Sequence, residues 1–485
     1  VHYIARTLRA AVVLVAAAAC LLSGCAQHAQ VICRPLELVS SGDYEGAVAS
    51  LDETSIADSS LDRFLYRVQR GHLLHLAGEY EASNHEFELA AAITEELEPF
   101  SLSETVTDYT LNEAARTYHG EDFERAYVHY YMALNYLAMD DLEEALVECR
   151  RVDQVFRELD ARYEEETGRY QDDGFIRYLS GLVYEARGER DEAFIDYRKA
   201  VLAYEGETGA ETGTGVPPGL LESFVCTGRR QGRDDDVAAL VDSVDFPCES
   251  GTSAEIVVVI ENGWAPYKRE AALRVPIVRE RVPREYWEHP GLEAVIKIAV
   301  PELESVPVSE SGFSVVAADT ALLPVEIASA ERVQDVDALA RWALARRLPA
   351  LTARSAIRTT LKTVALIKAQ DAREEDREKD GEDRGWLSRI FDFAVDYVAP
   401  VVVGETEQAD TRGWITLPSE IWIARVPVRP GNYHLFVDRE KSAGGADGRR
   451  SIGRVTVGPR ETVFRSCRII DRPHPIRCEE PPRGG

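Results

Sequence analysis

Small and large side chains recur at fixed offsets through the first half of the chain. Gly181 and Tyr184 are followed by Ala193, Tyr197 and Ala200; Ala133 and Tyr136 by Ala145, Cys149 and Val152; Gly71 and Leu74 by Ser83, Phe87 and Ala90. A weaker copy starts at Gly42-Asp43-Tyr44 and carries Ala47 and Leu51. Inside these units stand Gly78-Glu79-Tyr80, Gly188-Glu189-Arg190 and the glycine-free Met139-Asp140-Asp141-Leu142. After each of these turns apolar residues return every three or four positions, as in Leu142, Ala145, Leu146, Cys149 and Val152, which is the period of an amphipathic helix. The pattern predicts antiparallel helix pairs in which a small residue on one helix admits a large one from the other.

That pattern is similar to the tetratricopeptide repeat. Its turns, at residues 42, 78, 140 and 188, are 36, 62 and 48 residues apart, so the array is interrupted, and a further helix is expected between Pro99 and Asp122. The resemblance implies an α-solenoid over residues 34–205 with a concave groove for peptides or helices. Tyr131, Asn135, Tyr178 and Tyr184 are its candidate partner contacts.

The texture changes after the Gly-, Thr- and Pro-rich stretch Gly206–Gly219, which opens a linker with short helices over residues 206–252. A β-rich segment is expected over 253–330. Glu255–Glu261 is nearly all apolar between its acids and predicts a buried strand, Asn262-Gly263 predicts a hairpin turn, and Lys268–Val278, Val295–Val300 and Phe313–Ala318 predict further strands. Residues 331–400 read as a helical insertion. It comprises a helix over Val333–Lys368 kinked at Pro349, a charged loop over Asp371–Gly385 and an amphipathic helix over Trp386–Tyr397. Ile415–Leu417, Glu420–Val426, Tyr433–Val437, Gly453–Val457 and Thr462–Arg465 complete the β domain over 401–480. The fold class is α+β multidomain: an α-solenoid, then a mixed or antiparallel β domain with a helical insertion.

Charge sharpens this division. The 485 residues carry a formal charge of −29, and residues 26–250 hold 48 acidic against 19 basic residues, whereas residues 251–485 hold 36 against 34. A nucleic-acid partner is not expected, because phosphate binding needs a basic face. An acidic groove would prefer a basic partner; the alternative is that the acid lies on convex, solvated faces. Arg347, Arg354, Arg358 and Lys362 form one basic stripe, suited to anionic lipid, to an acidic partner, to solvent or to the chain's own acidic half.

Arg6 and Arg9 precede an apolar run, Ala10–Leu22, that is too short to span a bilayer but suits a secretory signal. The run ends in Leu22-Ser23-Gly24-Cys25, which resembles the lipobox of bacterial lipoprotein precursors. The resemblance implies a signal peptide over 1–24, acylation of Cys25, and a tether over 25–33 that joins the chain to a membrane without spanning it. Ala26, where enteric bacteria use aspartate for inner-membrane retention, implies an outer-membrane, periplasm-facing location. Four further stretches carry a wider resemblance: Tyr131–Ala138 with Glu144–Arg151, Tyr178–Ala186, Val259–Glu270 and Glu407–Pro418. Together they resemble a family of Gram-negative envelope lipoproteins with tetratricopeptide-like N-terminal halves. That family implies a gene setting shared with activators of peptidoglycan synthases, but no reaction and no catalytic residue.

Candidate chemistry is sparse. Glu405, Glu407, Asp410 and Arg412 precede Trp414, where paired carboxylates would serve as acid and base on a glycan and the indole as a sugar platform. Asp410 and Arg412 stand two apart, which equally suits an ion pair at a turn. His72, His75 and His85 read as surface or groove histidines, without metal-ligand spacing. No cofactor, metal or enzymatic activity is expected. In an exported chain Cys226 with Cys248 and Cys467 with Cys478 are the short-loop disulfide candidates, and Cys149 is an inert core thiol. The expected function is a lipid-anchored periplasmic adaptor that grips envelope proteins with its solenoid. The alternatives are a contact regulator of peptidoglycan synthesis and a glycan-binding or hydrolytic enzyme using the Glu405–Trp414 loop.

Overall fold

The sixteen-residue offset from 71 to 87 and from 181 to 197 is a packing contact. In the computed structural model, a Cβ on Gly71 would lie 2.9 Å from the Phe87 ring, and one on Gly181 only 2.4 Å from Tyr197. The paired helices approach this closely because those two positions carry no side chain. The intervening copy has Ala133 at the small position and Cys149, smaller than either aromatic, at the large one.

The structure describes residues 28–97, 113–162, 172–241, 246, 248, 254–276, 295–308, 312–319, 325–380, 407–439 and 448–478. Cys25, Glu405, and the helices expected over Pro99–Asp122 (in its first part) and Trp386–Tyr397 lie outside them. Three short helices, α1 (His28–Val31), α2 (Cys33–Ser41) and α3 (Tyr44–Asp52), lead a stack of antiparallel pairs. The pairs are α4 (Arg63–Ala77) with α5 (Tyr80–Leu97), α6 (Asp122–Ala138) with α7 (Leu142–Arg162), and α8 (Gly174–Arg187) with α9 (Arg190–Glu205). Gly78 and Gly188 end the first helices of two pairs in the left-handed conformation, at φ +83° and +80°. In the glycine-free turn Asp140 adopts it instead, at φ +59°.

The region expected to be a linker continues the stack. After α10 (Glu207–Thr212), α11 (Pro218–Arg230) packs on α9, with Phe194 and Phe224 stacked at 5.2 Å, and is followed by α12 (Asp234–Ala238). Cys226 of α11 is bonded to Cys248.

Ten strands follow among the described residues: β1 (Ala254–Asn262), β2 (Tyr267–Pro276), β3 (Val295–Glu304), β4 (Phe313–Asp319), β5 (Val325–Ser329), β6 (Glu331–Asp335), β7 (Glu420–Val428), β8 (Gly431–Arg439), β9 (Arg450–Val457) and β10 (Thr462–Ile469). They form sheets ordered β10-β1-β7-β6 and β5-β4-β8-β9 and a β2-β3 ribbon. Asn262-Gly263 therefore closes no hairpin: β1 pairs with β7 antiparallel and with β10 in parallel, Ile256 opposite Val426 and Val463. Val333 lies in β6, and the long helix α13 (Val336–Asp380) begins after it. That helix runs through Pro349 and takes in Asp371–Asp380, the start of the expected loop. Ile415–Leu417 is a turn rather than a strand.

The first sheet is covered on both faces, which is why β1 reads as an unbroken apolar run. Ile256, Val258 and Ile260 face Val315, Leu435 and Val437 of the second sheet. Val257, Val259, Ile421, Ile423 and Phe464 share a core with the helices. Among the described residues no helix is long and apolar enough to cross a membrane.

Candidate functional site

The face of the helical stack on which Tyr131 and Tyr178 stand, where groove chemistry was expected, is covered by the chain's own second half. Tyr131 and Tyr130 project from α6 and donate their hydroxyls to Glu261 of β1, at 2.7 and 3.3 Å. Burial and then Glu261 push both phenols well above their ordinary pKa, so they remain donors. Arg468 of β10 stands 3.9 Å from the same carboxylate and donates to the carbonyls of Gly263, Thr416 and Leu417 at 2.6–3.1 Å.

A second knot surrounds Trp414. Its ring sits 5.5 Å from Tyr131, 5.7 Å from Phe87 and 5.9 Å from His72 between centroids. The Trp414 backbone N–H donates to Glu124 at 2.8 Å, and its indole N–H donates to Thr416 at 3.1 Å. Thr416 in turn donates to Gln69 of α4 at 2.8 Å and lies 3.0 Å from His72 Nδ1. Burial holds His72 well below the usual histidine range, reinforced by Arg468 and His75. The imidazole is therefore neutral; of the surface or groove positions expected, His72 lies buried in the groove against Thr416 and Trp414, and His75 is buried too.

Electrostatic pairing closes the rim. Glu121, whose side chain caps α6, is clamped by Lys268 of β2 and Arg347 of α13. Burial would raise the Glu121 carboxyl, but the two cations outweigh it and hold the group down to about 2. Burial, then the neighbouring Glu121, pushes Glu124 up instead. Across the seam Arg412 donates to Asp62 at 3.0 Å and Arg465 to Asp140 at 2.9 Å, and Arg425 stands 4.0 Å from Glu185; Asp410 and Glu255, on the β side, accept from Arg412 and Arg425 at 2.8 Å. The basic ligand for which the acidic groove is suited is thus in large part the chain itself.

These contacts correct the sequence-based assignments. Tyr131 and Tyr178 are buried and face the β half, so they are not open to an external partner. Asn135 is spent inside the stack, donating to Ser83 and Asn84 and meeting His75 at 2.6 Å. Tyr184 accepts from Arg150 at 3.2 Å, away from the seam. Glu407 is paired with Arg358 at 2.7 Å, both fully buried, and also accepts from Ser355. Asp410 and Arg412 form an ion pair, and Trp414 is 2% exposed, so the loop offers no sugar platform. Of the basic stripe, Arg347 meets Glu121 of the acidic half and Arg358 pairs with Glu407; the Lys362 side chain lies outside the described residues. Cys478 is bonded to Cys33, not to Cys467, which points among the sandwich residues and whose thiol burial pushes up to about 12. Cys149 is likewise a buried free thiol.

The seam leaves a cavity of about 30 Å³ beside Glu121, Glu124, Lys268 and Trp414, room for about one water and for no substrate. A cleft of about 300 Å³ lies between α5, α6 and α7, lined by Glu88, Glu95, Arg125, His129, Arg151 and Glu158. Among the described residues no group of three or more histidine, cysteine and acidic side chains is placed to hold a metal. Glu261 and Arg468 were missed in the sequence. The available signal was an acid closing a strand buried on both faces, which demands a partner.

No protein-family profile and no curated protein matches this chain. Solved structures similar to part of it include two of MamA. The crystal structure of MamA protein is 15% identical, with 42% of this chain and 83% of that one covered and a TM-score of 0.25. A second crystal structure of MamA is 14% identical, with 43% and 90% covered and a TM-score of 0.26. A likeness this loose carries no functional argument.

Proposed function

We propose that this chain is a lipid-anchored scaffold of the bacterial envelope, a tetratricopeptide-like solenoid locked onto a β domain, that meets protein partners on its outer surface. Anchoring rests on Arg6, Arg9, the Ala10–Leu22 run and the lipobox ending in Cys25. With the groove filled, recognition falls to the outside of the stack. The observation that carries this reading is an apolar pair on α9: Ile195 and Leu202, seven residues apart on one face, are 45% and 44% exposed. Glu192, Arg198 and Glu205 are exposed on the same helix, Arg198 directly between the two apolar residues, which suits a partner whose apolar ridge carries charges of both signs.

The test is crosslinking of the full lipoprotein in its own envelope, wild type beside Ile195→Asp/Leu202→Asp. Loss of one defined partner from the variant, with unchanged circular dichroism, is the expected result; capture that ignores the substitutions would remove α9 as the docking surface. Cys25→Ala should release the protein from the membrane fraction, and full retention would refute the lipid anchor.

A further inference from the structure

The acylated residue and the folded body are joined by very little chain. Only Ala26 and Gln27 separate Cys25 from His28. His28 is fixed: it is buried in α1 and its backbone N–H donates to Thr411 at 3.3 Å. Three peptide spacings let the Cys25 Cα stand at most about 11 Å from that of His28. The body therefore has no slack with which to float away from its anchor.

The surface beside that exit point is built from both ends of the described chain. Cys33 of α2 is bonded to Cys478 across 445 residues of sequence. Gln30 donates to the Arg477 carbonyl at 2.8 Å, and the strap 471–478 is pinned further by Trp264, whose indole N–H donates to the Arg472 carbonyl at 3.1 Å. His474 plugs the strap into the body against Trp264 and Tyr267, each at 5.3 Å. Outward from the strap and α2 stand Arg34, Arg472 and Arg477, all exposed, with Arg34 at 63% and shared only with Glu37. Against them stand Glu37 and the exposed Asp471, paired with Arg34 and Arg439, so the pole keeps a modest basic excess, which suits a surface lying against lipid phosphates.

We propose that this pole, α1, the start of α2 and the strap 471–478, rests on the lipid surface, with the helical stack leading away from the membrane. The proposal rests on the assignment of Cys25 as the lipid anchor. It fixes an orientation: the pairs α4–α5, α6–α7 and α8–α9 follow one another outward, and the α9 face carrying Ile195 and Leu202 is presented at a distance from the bilayer. The disulfide makes the β domain share the anchor, because the strap continues from β10.

The experiment is hydroxyl-radical footprinting of the lipidated full chain, free in detergent and on floated vesicles of zwitterionic and anionic phospholipid. Oxidation of Pro473, Pro475 and Ile476 should fall severalfold on vesicles, while Ile195 and Leu202 stay unchanged. Protection of Ile195 and Leu202 instead, or no protection anywhere on a protein that floats, would overturn the orientation. Failure to float would sink the lipid anchor itself and is read separately. Insertion of about ten Gly and Ser residues after Gln27 should restore oxidation of the strap without preventing flotation. Undiminished protection in that variant would overturn the role of the short tether.

Discussion

The two faces of the β10-β1-β7-β6 sheet solve the same burial problem differently. Toward the second sheet, Ile256, Val258, Ile260, Ala424 and Val426 share an apolar cluster with Val315, Leu435 and Val437. Toward the helices, the same strands carry Glu255, Glu261, Arg425 and Arg468 among Val257, Val259 and Ile423. Apolar contact is non-directional and would tolerate a shifted sheet. The carboxylate of Glu261 is satisfied only where Tyr130, Tyr131 and Arg468 converge. A matched buried charge adds little stability over apolar packing, whereas an unmatched one is costly. The dry face holds the sandwich together, and the polar face holds it in one position on the helices.

That contrast can be broken most strongly at Arg468. Arg468→Met should cost roughly 3–5 kcal/mol, because it strands a buried carboxylate. Ile256→Val on the dry face should cost only about 0.5–1.5 kcal/mol. Urea unfolding of both variants measures the difference, and adding Glu261→Gln to Arg468→Met should recover part of the loss. Equal costs for the two single variants would erase the distinction between the faces.

Acid should act next. Burial lowers His28 and His474 to about 4, with Asp62 and Asp410 partly opposing at His28 and Arg477 adding to the effect at His474. The unfolded chain then binds more protons than the folded one as pH drops below the ordinary value of 6.5, so stability is present above that value and is lost on acidification. Each histidine should remove about 2 kcal/mol between pH 7 and 5. Glu121, depressed to about 2, adds its loss only below about 4.5. Denaturation midpoints across this range check the sign, and His474→Gln should flatten the upper part of the curve.

Within the helical half the smallest of these effects is expected. Gly181→Ala puts a methyl 2.4 Å from the Tyr197 ring and should cost about 1–3 kcal/mol from overpacking, less about 1 kcal/mol regained in helix propensity. Combined with Tyr197→Cys, which copies the Ala133 and Cys149 arrangement, the loss should be less than the sum of the two single losses. Simple addition would mean that the two positions do not pack as a unit.

Legibility followed the range of each contact. The small-to-large offset of the helix pairs was plain because both partners belong to one hairpin, and the two-sided burial of β1 was plain because every residue of the run had to be apolar. The Asn262-Gly263 hairpin failed because β1 takes its neighbours from β7 and β10, more than 150 residues away in sequence. The expected pairing of Cys467 with Cys478 failed because β10 turns Cys467 into the sandwich while the strap carries Cys478 back to α2. Trp414, preceded by three acids in sequence, looked like a platform, and its burial depends on α4, α5 and α6 closing over it.

By itself the sequence determined the helical pairs, the change of texture near residue 253, and an acidic half beside a nearly neutral one, since propensity, periodicity and charge are local properties. Only the tertiary structure decided that the acidic helical half is met by the chain's own Lys268, Arg347, Arg412 and Arg465. A charge in sequence fixes what its partner must be, and only the folded geometry fixes which residue comes within reach.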